Sequence, residues 1–408
     1  MVKNNFSLLL LTLLIAASTA VHAADCRYNP DAPESALWIV AGQSNAAGFA
    51  DVNNTPLFAR NTVFPYVRIW GIFGDDSLAG TGQYPTGTVP GTATPYDSAA
   101  GSLAFDWAAY ARQTGWQLAR PGFGVKDPTA LAQIGASAYE TFGPELAFAQ
   151  KLNEFLLPYN QSGNEARHHI VKLAIAGTSL QYHWLPADSD NFLFNRLLEM
   201  TVDAINSRSD VRLKVRGMLW LQGETDGDTA ALASAYGHNL GRFRNNFEQA
   251  LAAQGCGFGI QPMPLLIGRL KLSEPLWPPY TYLVREQQDD VQRVPARYGI
   301  AGNVGIISTD DLVLLANSPL HFDTASQIQI GYRFFDALFS DEQLLPQAFL
   351  FERSTTPALM GYFTNGRLHY CSYPTGPGGC DSLARITTEY RFIRYDMKYD
   401  GHCAGPCP

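Results

Sequence analysis

Leu37-Trp38-Ile39-Val40-Ala41-Gly42-Gln43-Ser44-Asn45-Ala46-Ala47-Gly48 is the stretch on which the reading of this chain turns. The apolar run 37–41 fits a buried strand, and the glycine and serine that follow end it on a tight turn. Similar runs recur at 170–174, 217–221, 264–268 and 304–308. Between them, apolar residues fall at helical spacing over 145–155, 192–205, 230–251 and 283–291, and 324–339 reads as a closing helix. Continuous apolar strands alternating with amphipathic helices predict an α/β protein, with a central parallel sheet covered on both faces. Ligands of such sheets sit beyond the carboxyl ends of the strands, so the residues directly after each strand are the candidates for a site.

The composition agrees with a folded chain. Of 408 residues, 46% are hydrophobic and 16% charged, enough apolar surface for a large core. With 29 Lys+Arg against 37 Asp+Glu the formal charge is −8, and no Lys/Arg run occurs anywhere. This argues against a nucleic-acid groove or a polybasic membrane surface. Gly (36) and Pro (25) are scattered without a period, which excludes a collagen-like or low-complexity chain.

The N-terminus carries Lys3, then an apolar stretch from Leu8 to Ala17 broken by Thr12, then Val21-His22-Ala23. Small residues at 21 and 23 suit cleavage, and the run is short for a bilayer. Residues 1–23 are therefore expected to be a signal peptide, and the protein to be secreted or periplasmic, with no stable membrane insertion. All six cysteines lie after it, as an oxidising compartment would favour. Cys371, Cys380, Cys403 and Cys407 crowd into the last 38 residues and are expected to pair among themselves. That leaves Cys26 and Cys256 to each other. The expected organisation is a main domain at 24–345 and a Cys-rich, disulfide-stapled tail at 346–408. Residues 51–140, rich in Gly, Pro, Thr and aromatics, read as a long insertion in the main domain.

Chemistry-bearing residues gather after the strands. Ser44 follows the first one among small residues, where a hydroxyl can be presented on a sharp turn with backbone N–H groups nearby. Position 46 is Ala, so the Gly-x-Ser-x-Gly elbow is missing, and an elbow serine would follow a later strand. Both points count against the α/β-hydrolase fold. Gly177, in Ala176-Gly177-Thr178-Ser179, can aim its N–H at a ligand. Gln222-Gly223-Glu224-Thr225-Asp226 puts an amide and two acids into one strand-end loop. Of the seven histidines after the signal, only His183 and His321 sit at strand-end loops, and His321 is the candidate base.

Taken in order, these blocks resemble the SGNH/GDSL hydrolases, in the sialate O-acetylesterase-like and carbohydrate esterase family 6 branch. The resemblance covers roughly residues 36–341. It rests on Gly42-Gln43-Ser44-Asn45, Gly143-Pro144-Glu145-Leu146, Gly177-Thr178-Ser179, Trp220 to Asp226, Val284-Arg285-Glu286-Gln287-Gln288 and His321-Phe322. It implies a three-layer α/β/α SGNH-hydrolase fold, Ser44 as nucleophile and His321 as base. It further implies an oxyanion hole from the Ser44 and Gly177 N–H groups and the Gln222 side chain, with no metal or cofactor. Glu224 matches the glutamate of the family's Gln-Gly-Glu motif and joins the catalytic set as a group that orients the site. The superfamily usually places an aspartate three residues before the histidine, where this chain has Ser318. A backbone carbonyl near 317–319, or a carboxylate from Glu224, Asp226 or Asp311, must then hold the ring, with Glu224 the first choice. The implied activity is removal of acetyl groups from a glycan such as sialic acid or xylan, so the expected partner is an acetylated carbohydrate. A glycan-binding protein on a decayed esterase scaffold and a glycan O-acetyltransferase are the competing readings.

Overall fold

Strand β1 (Glu34–Gly42) is the centre of the molecule and shows how the layers arise. Leu37, Ile39 and Ala41 enter one hydrophobic core, while Trp38 and Val40 enter a second on the opposite face. Successive side chains of a strand point to opposite faces, so a run apolar at every position must be buried on both. The computed structural model describes residues 25–340 except 56, 59–60, 74–114, 125–130, 133, 157–167, 187–191, 260, 274–275, 277 and 319, and adds 349–351, 359–364 and 367–372.

Among the described residues the main sheet has seven strands. After β1 come β3 (Phe64–Gly71), β4 (Trp116–Ala119), β6 (His168–Ala174), β7 (Arg212–Leu221), β8 (Leu265–Gly268) and β9 (Val304–Ile307). A separate two-stranded ribbon joins β2 (Ala50–Asp51) to β5 (Thr141–Phe142). The order across the main sheet is β4-β3-β6-β1-β7-β8-β9, parallel throughout except for β4 at the edge.

Helices α3 (Phe192–Asn206), α4 (Ala230–Ala253) and α5 (Thr281–Arg293) cover the first core with Leu197, Phe243, Phe247 and Val284. On the other face α2 (Pro144–Leu156) and α6 (Thr324–Ser340) supply Leu146, Phe148, Leu152, Ile330 and Phe334. The expected three-layer α/β/α arrangement is what the chain adopts. No helix of the described residues is long and apolar enough to cross a membrane.

The sheet order fixes where a site can form. β6 and β7 flank β1 on opposite sides, and Gly42 is in register with Ala174 and Leu221 at their ends. Three parallel strands therefore stop together, and the loops after them meet at the point where the strand order reverses.

One difference from the sequence reading concerns residues 51–140. β3 and β4 lie within that segment yet extend the main sheet, so part of it is framework rather than insertion. In β3, Val67 and Ile69 are buried while Tyr66, Arg68 and Trp70 are partly exposed. That near-edge alternation is weaker than the continuous runs of the central strands. Beyond 345, β10 (Phe349–Phe351), β11 (Leu359–Thr364) and β12 (Arg367–Ser372) form an antiparallel three-stranded sheet. Cys26 and Cys256 are bonded, as expected. The sulfur pairing in the tail and the signal segment 1–23 lie outside the described residues.

Candidate active site

Gly42 makes the turn that presents Ser44. Its φ is +144°, and a Cβ there would sit 1.9 Å from the Leu221 carbonyl oxygen, so only glycine fits. Gln43 N–H donates to that same carbonyl at 2.9 Å. Ser44 then opens a single helical turn, α1 (Ser44–Ala47), closed by Gly48 N–H donating to Ser44 O at 2.8 Å.

Beneath the turn lies a buried cation. Lys172 Nζ donates to Ala47 O at 3.0 Å and to Phe123 O at 3.1 Å, and pairs with Glu145 Oε2 at 2.6 Å. Both side chains are fully buried. Burial pushes the Lys172 ammonium below the usual lysine range, and Glu145 opposes that shift. Glu145 Oε1 accepts from Gly143 N–H at 3.1 Å. The Gly143-Pro144-Glu145 motif is thus the support under the serine turn.

On the β6 side, Gly177 has φ +71° and open space where a Cβ would project. Among the described residues, neither the Ser44 nor the Gly177 N–H has a hydrogen-bond partner. The loop is fixed by Asp226, which accepts from Ser179 Oγ at 2.9 Å and Leu180 N–H at 2.8 Å. Gln222 behaves differently from expectation. Its Nε2 donates to Asp226 Oδ2 at 2.6 Å and to Thr178 O at 2.9 Å, with Gln43 Oε1 at 3.2 Å. Two acceptors demand the nitrogen on that side, so the amide orientation is set, and its hydrogens tie the two loops together instead of facing a ligand. Gln222 O is in turn held by Tyr236 OH at 2.7 Å and Gln288 Nε2 at 3.3 Å. This gives Gln288 of the Val284–Gln288 motif its place.

His321 comes from the loop after β9. Its Nδ1 lies 3.1 Å from Ser318 Oγ, and its ring stacks on Phe49 at 4.4 Å between centroids. Asn45, next to Ser44, bonds both flanking residues: Nδ2 donates to Leu320 O at 2.9 Å, and Oδ1 accepts from Phe322 N–H at 3.2 Å. Asp323 then caps α6 by accepting from Ser326 N–H at 2.8 Å.

A serine turn at three aligned strand ends and a histidine loop pinned beside it lie within the span of one family model. The model described as "carbohydrate esterase, sialic acid-specific acetylesterase" covers residues 34–340. The chain belongs to that family. It is a carbohydrate esterase. Among curated proteins none matches it. Of solved structures, it is similar to a protein from Arabidopsis thaliana at 19% identity and TM-score 0.47, over 76% of this chain and 99% of that one. NanS is similar at 17% identity and TM-score 0.47, over 75% and 97%. A carbohydrate acetylesterase from Xanthomonas citri is similar at 15% identity and TM-score 0.40, over 81% and 63%.

In this esterase the Ser318 hydroxyl lies against His321 Nδ1, and the three carboxylates considered from sequence bond elsewhere. Glu224 Oε1 accepts from Asn45 Nδ2 at 2.6 Å, and its Oε2 is buried without a hydrogen-bond partner. Burial pushes the Glu224 carboxyl up to about 7, against the Asn45 bond and with help from the Asp226 charge. Asp226 serves the Gly177 loop. Asp311 pairs with Arg333 at 2.6 and 2.7 Å. His183 is buried with Nδ1 2.9 Å from Ser179 N, and burial lowers its pKa to about 4, which keeps it neutral and structural. Sequence reasoning assigned no role to Asn45, Lys172 or Phe49. Asn45 stood inside the quoted Gly42–Asn45 block, and its position beside Ser44 was the available signal.

Proposed function

We propose that this carbohydrate esterase is an O-acetylesterase that works through an acyl-enzyme on Ser44. His321 Nε2 removes the Ser44 proton as Oγ attacks the acetyl carbonyl. The Ser44 and Gly177 N–H groups stabilise the oxyanion. The tetrahedral intermediate collapses, the sugar oxygen leaves with the proton from His321, and acetyl stays on Oγ. Water, deprotonated by His321, then attacks the acetyl carbonyl and releases acetate, returning the proton to Ser44. The balance needs only water.

The observation that carries this reading is the Asn45 bridge, which joins the Ser44 turn to both neighbours of His321. It does so at the end of the sheet where the Ser44 and Gly177 N–H groups lie, both without a partner among the described residues. The family description names sialic acid, so an acetylated sialic acid is the first substrate to try, with acetylated xylan second. Residues 1–23 and the Cys26–Cys256 bond support a secreted or periplasmic location. The test is acetate release from acetylated sialic acid, acetylated xylan and an aryl acetate by wild type and Ser44→Ala. Release by the wild type alone supports the proposal. No release from any ester overturns it in favour of a binding role.

A further inference from the structure

We propose that Asn45, anchored by Glu224, is the positioning residue that sets His321 against Ser44. This rests on the serine-esterase reading above and names how that site is held together.

Asn45 is 2% exposed, and its side-chain amide is fully used. One Nδ2 hydrogen goes to Glu224 Oε1 at 2.6 Å and the other to Leu320 O at 2.9 Å, while Oδ1 takes Phe322 N–H at 3.2 Å. The two backbone contacts bracket His321 from either side. Only a group that donates twice and accepts once meets this demand, which an amide does and a carboxylate, hydroxyl or alkyl group does not. Leu320 O can only accept and Phe322 N–H can only donate, so these two contacts set a single orientation of the amide. Glu224 Oε1 takes the second Nδ2 hydrogen and so ties the amide to the loop after β7.

The leverage comes from chain position. Ser44 and Asn45 share a peptide unit inside α1, so the clamp fastens the histidine loop to the serine's own turn. Ser44 and His321 come from opposite ends of the domain sequence; Phe49 stacks on the His321 ring, and two further ties of the loop reach elsewhere. Val313 N–H bonds Ser326 Oγ at 2.8 Å, and Asp311 bonds Arg333. An error of about 1 Å between two reacting groups costs roughly 10²-fold in rate. Glu224 therefore acts through Asn45 and not by proton transfer, and Glu224→Gln keeps an oxygen that can accept from Asn45.

The experiment compares kcat and KM for aryl acetate, and hydrogen exchange over residues 309–322, in wild type, Asn45→Ala, Glu224→Ala and Glu224→Gln. Asn45→Ala and Glu224→Ala are each expected to lower kcat by about 10²-fold with KM changed little, as loss of alignment requires. Glu224→Gln should keep most of kcat. The double alanine variant should be no worse than either single one. Exchange at 320–322 should accelerate in Asn45→Ala. That exchange readout stands even if no ester is hydrolysed, so failure of the esterase reading and failure of the clamp are told apart. Unchanged exchange in Asn45→Ala, unchanged kcat in a folded Asn45→Ala, or a Glu224→Gln as inactive as Glu224→Ala would each overturn the proposal.

Discussion

Ser318 Oγ sits 3.1 Å from His321 Nδ1, placing a neutral hydroxyl on the ring atom that a triad would give to a carboxylate. The same oxygen accepts from the backbone N–H of His321 at 3.3 Å and of Leu320 at 3.4 Å. A carboxylate can only accept, and so forces the proton onto Nδ1 and leaves Nε2 as base. A hydroxyl can also donate to Nδ1, which puts the proton on Nε2, the wrong atom for deprotonating Ser44.

Ser318→Asp is therefore expected to raise kcat by about tenfold or more, by fixing the tautomer and stabilising the imidazolium. Ser318→Ala should lower kcat by roughly three- to tenfold, a larger effect than the sequence alone suggested. His321→Ala should cost ~10²–10⁴-fold, the range for a general base. Steady-state kinetics on one aryl acetate decide this, and equal damage from Ser318→Ala and His321→Ala would contradict it.

Glu224 makes stability depend on pH. Its carboxyl is raised by burial from 4.5 to about 7 in the folded protein. Between those values the folded chain keeps a proton that the unfolded chain has lost. Stability is therefore fully present below about pH 4.5 and falls as pH rises to 7, by on the order of 3 kcal/mol. Asp228, raised to about 6 by burial and by the Asp226 charge, acts in the same direction. Urea unfolding at pH 5 and pH 7.5 should show a steeper loss for wild type than for Glu224→Gln. Identical slopes would show that Glu224 does not titrate in this window.

Much of the fold was legible because β1, β6, β8 and the second half of β7 are buried on both faces. Runs such as 37–41 and 217–221 are apolar at every position and stand out between amphipathic helices. β3 and β4 escaped notice because near-edge strands mix polar and apolar residues and here lie amid glycine, proline and threonine. In the site, Ser44, Gly177 and His321 were placed from strand ends and motif order. The bonding of Gln222 was not legible because motif spacing says nothing of where an amide's hydrogens go. Its acceptors, Asp226 and Thr178, sit on two different loops. Ser318 was taken as a missing carboxylate, and only geometry shows its hydroxyl on Nδ1.

The Lys172–Glu145 pair supports the serine turn from below, and both charges are inaccessible to water. Glu145→Ala or Lys172→Ala should each destabilise the protein by ~3–5 kcal/mol, since one buried charge is left unpaired. Lys172→Met combined with Glu145→Leu should recover much of that stability but not activity, because Ala47 O loses its donor. Chemical denaturation and kcat measured on the same three proteins check both parts.

Cys26 and Cys256 close a loop with a sequence separation of 230 and tie the start of the described chain to the end of α4. Removing the bridge with Cys26→Ser and Cys256→Ser should cost ~2–5 kcal/mol of stability. Gly257, next to the bridge, accepts from Val215 N–H of β7, well before Leu221 and at the end of the sheet away from Ser44. Turnover at 25 °C should therefore stay near the wild-type value, and a large loss of kcat with little change in stability would contradict this.

The central claim is that acetyl passes through Ser44 Oγ. Brief incubation of wild type with an aryl acetate, quenching in acid and mass measurement of the intact protein tests it. Wild type is expected to carry one added acetyl group, mapped by digestion to the peptide holding Ser44, and Ser44→Ala none, with its acetate release at least ~10³-fold slower. An acetyl group on another residue, or undiminished hydrolysis by Ser44→Ala, would contradict the account.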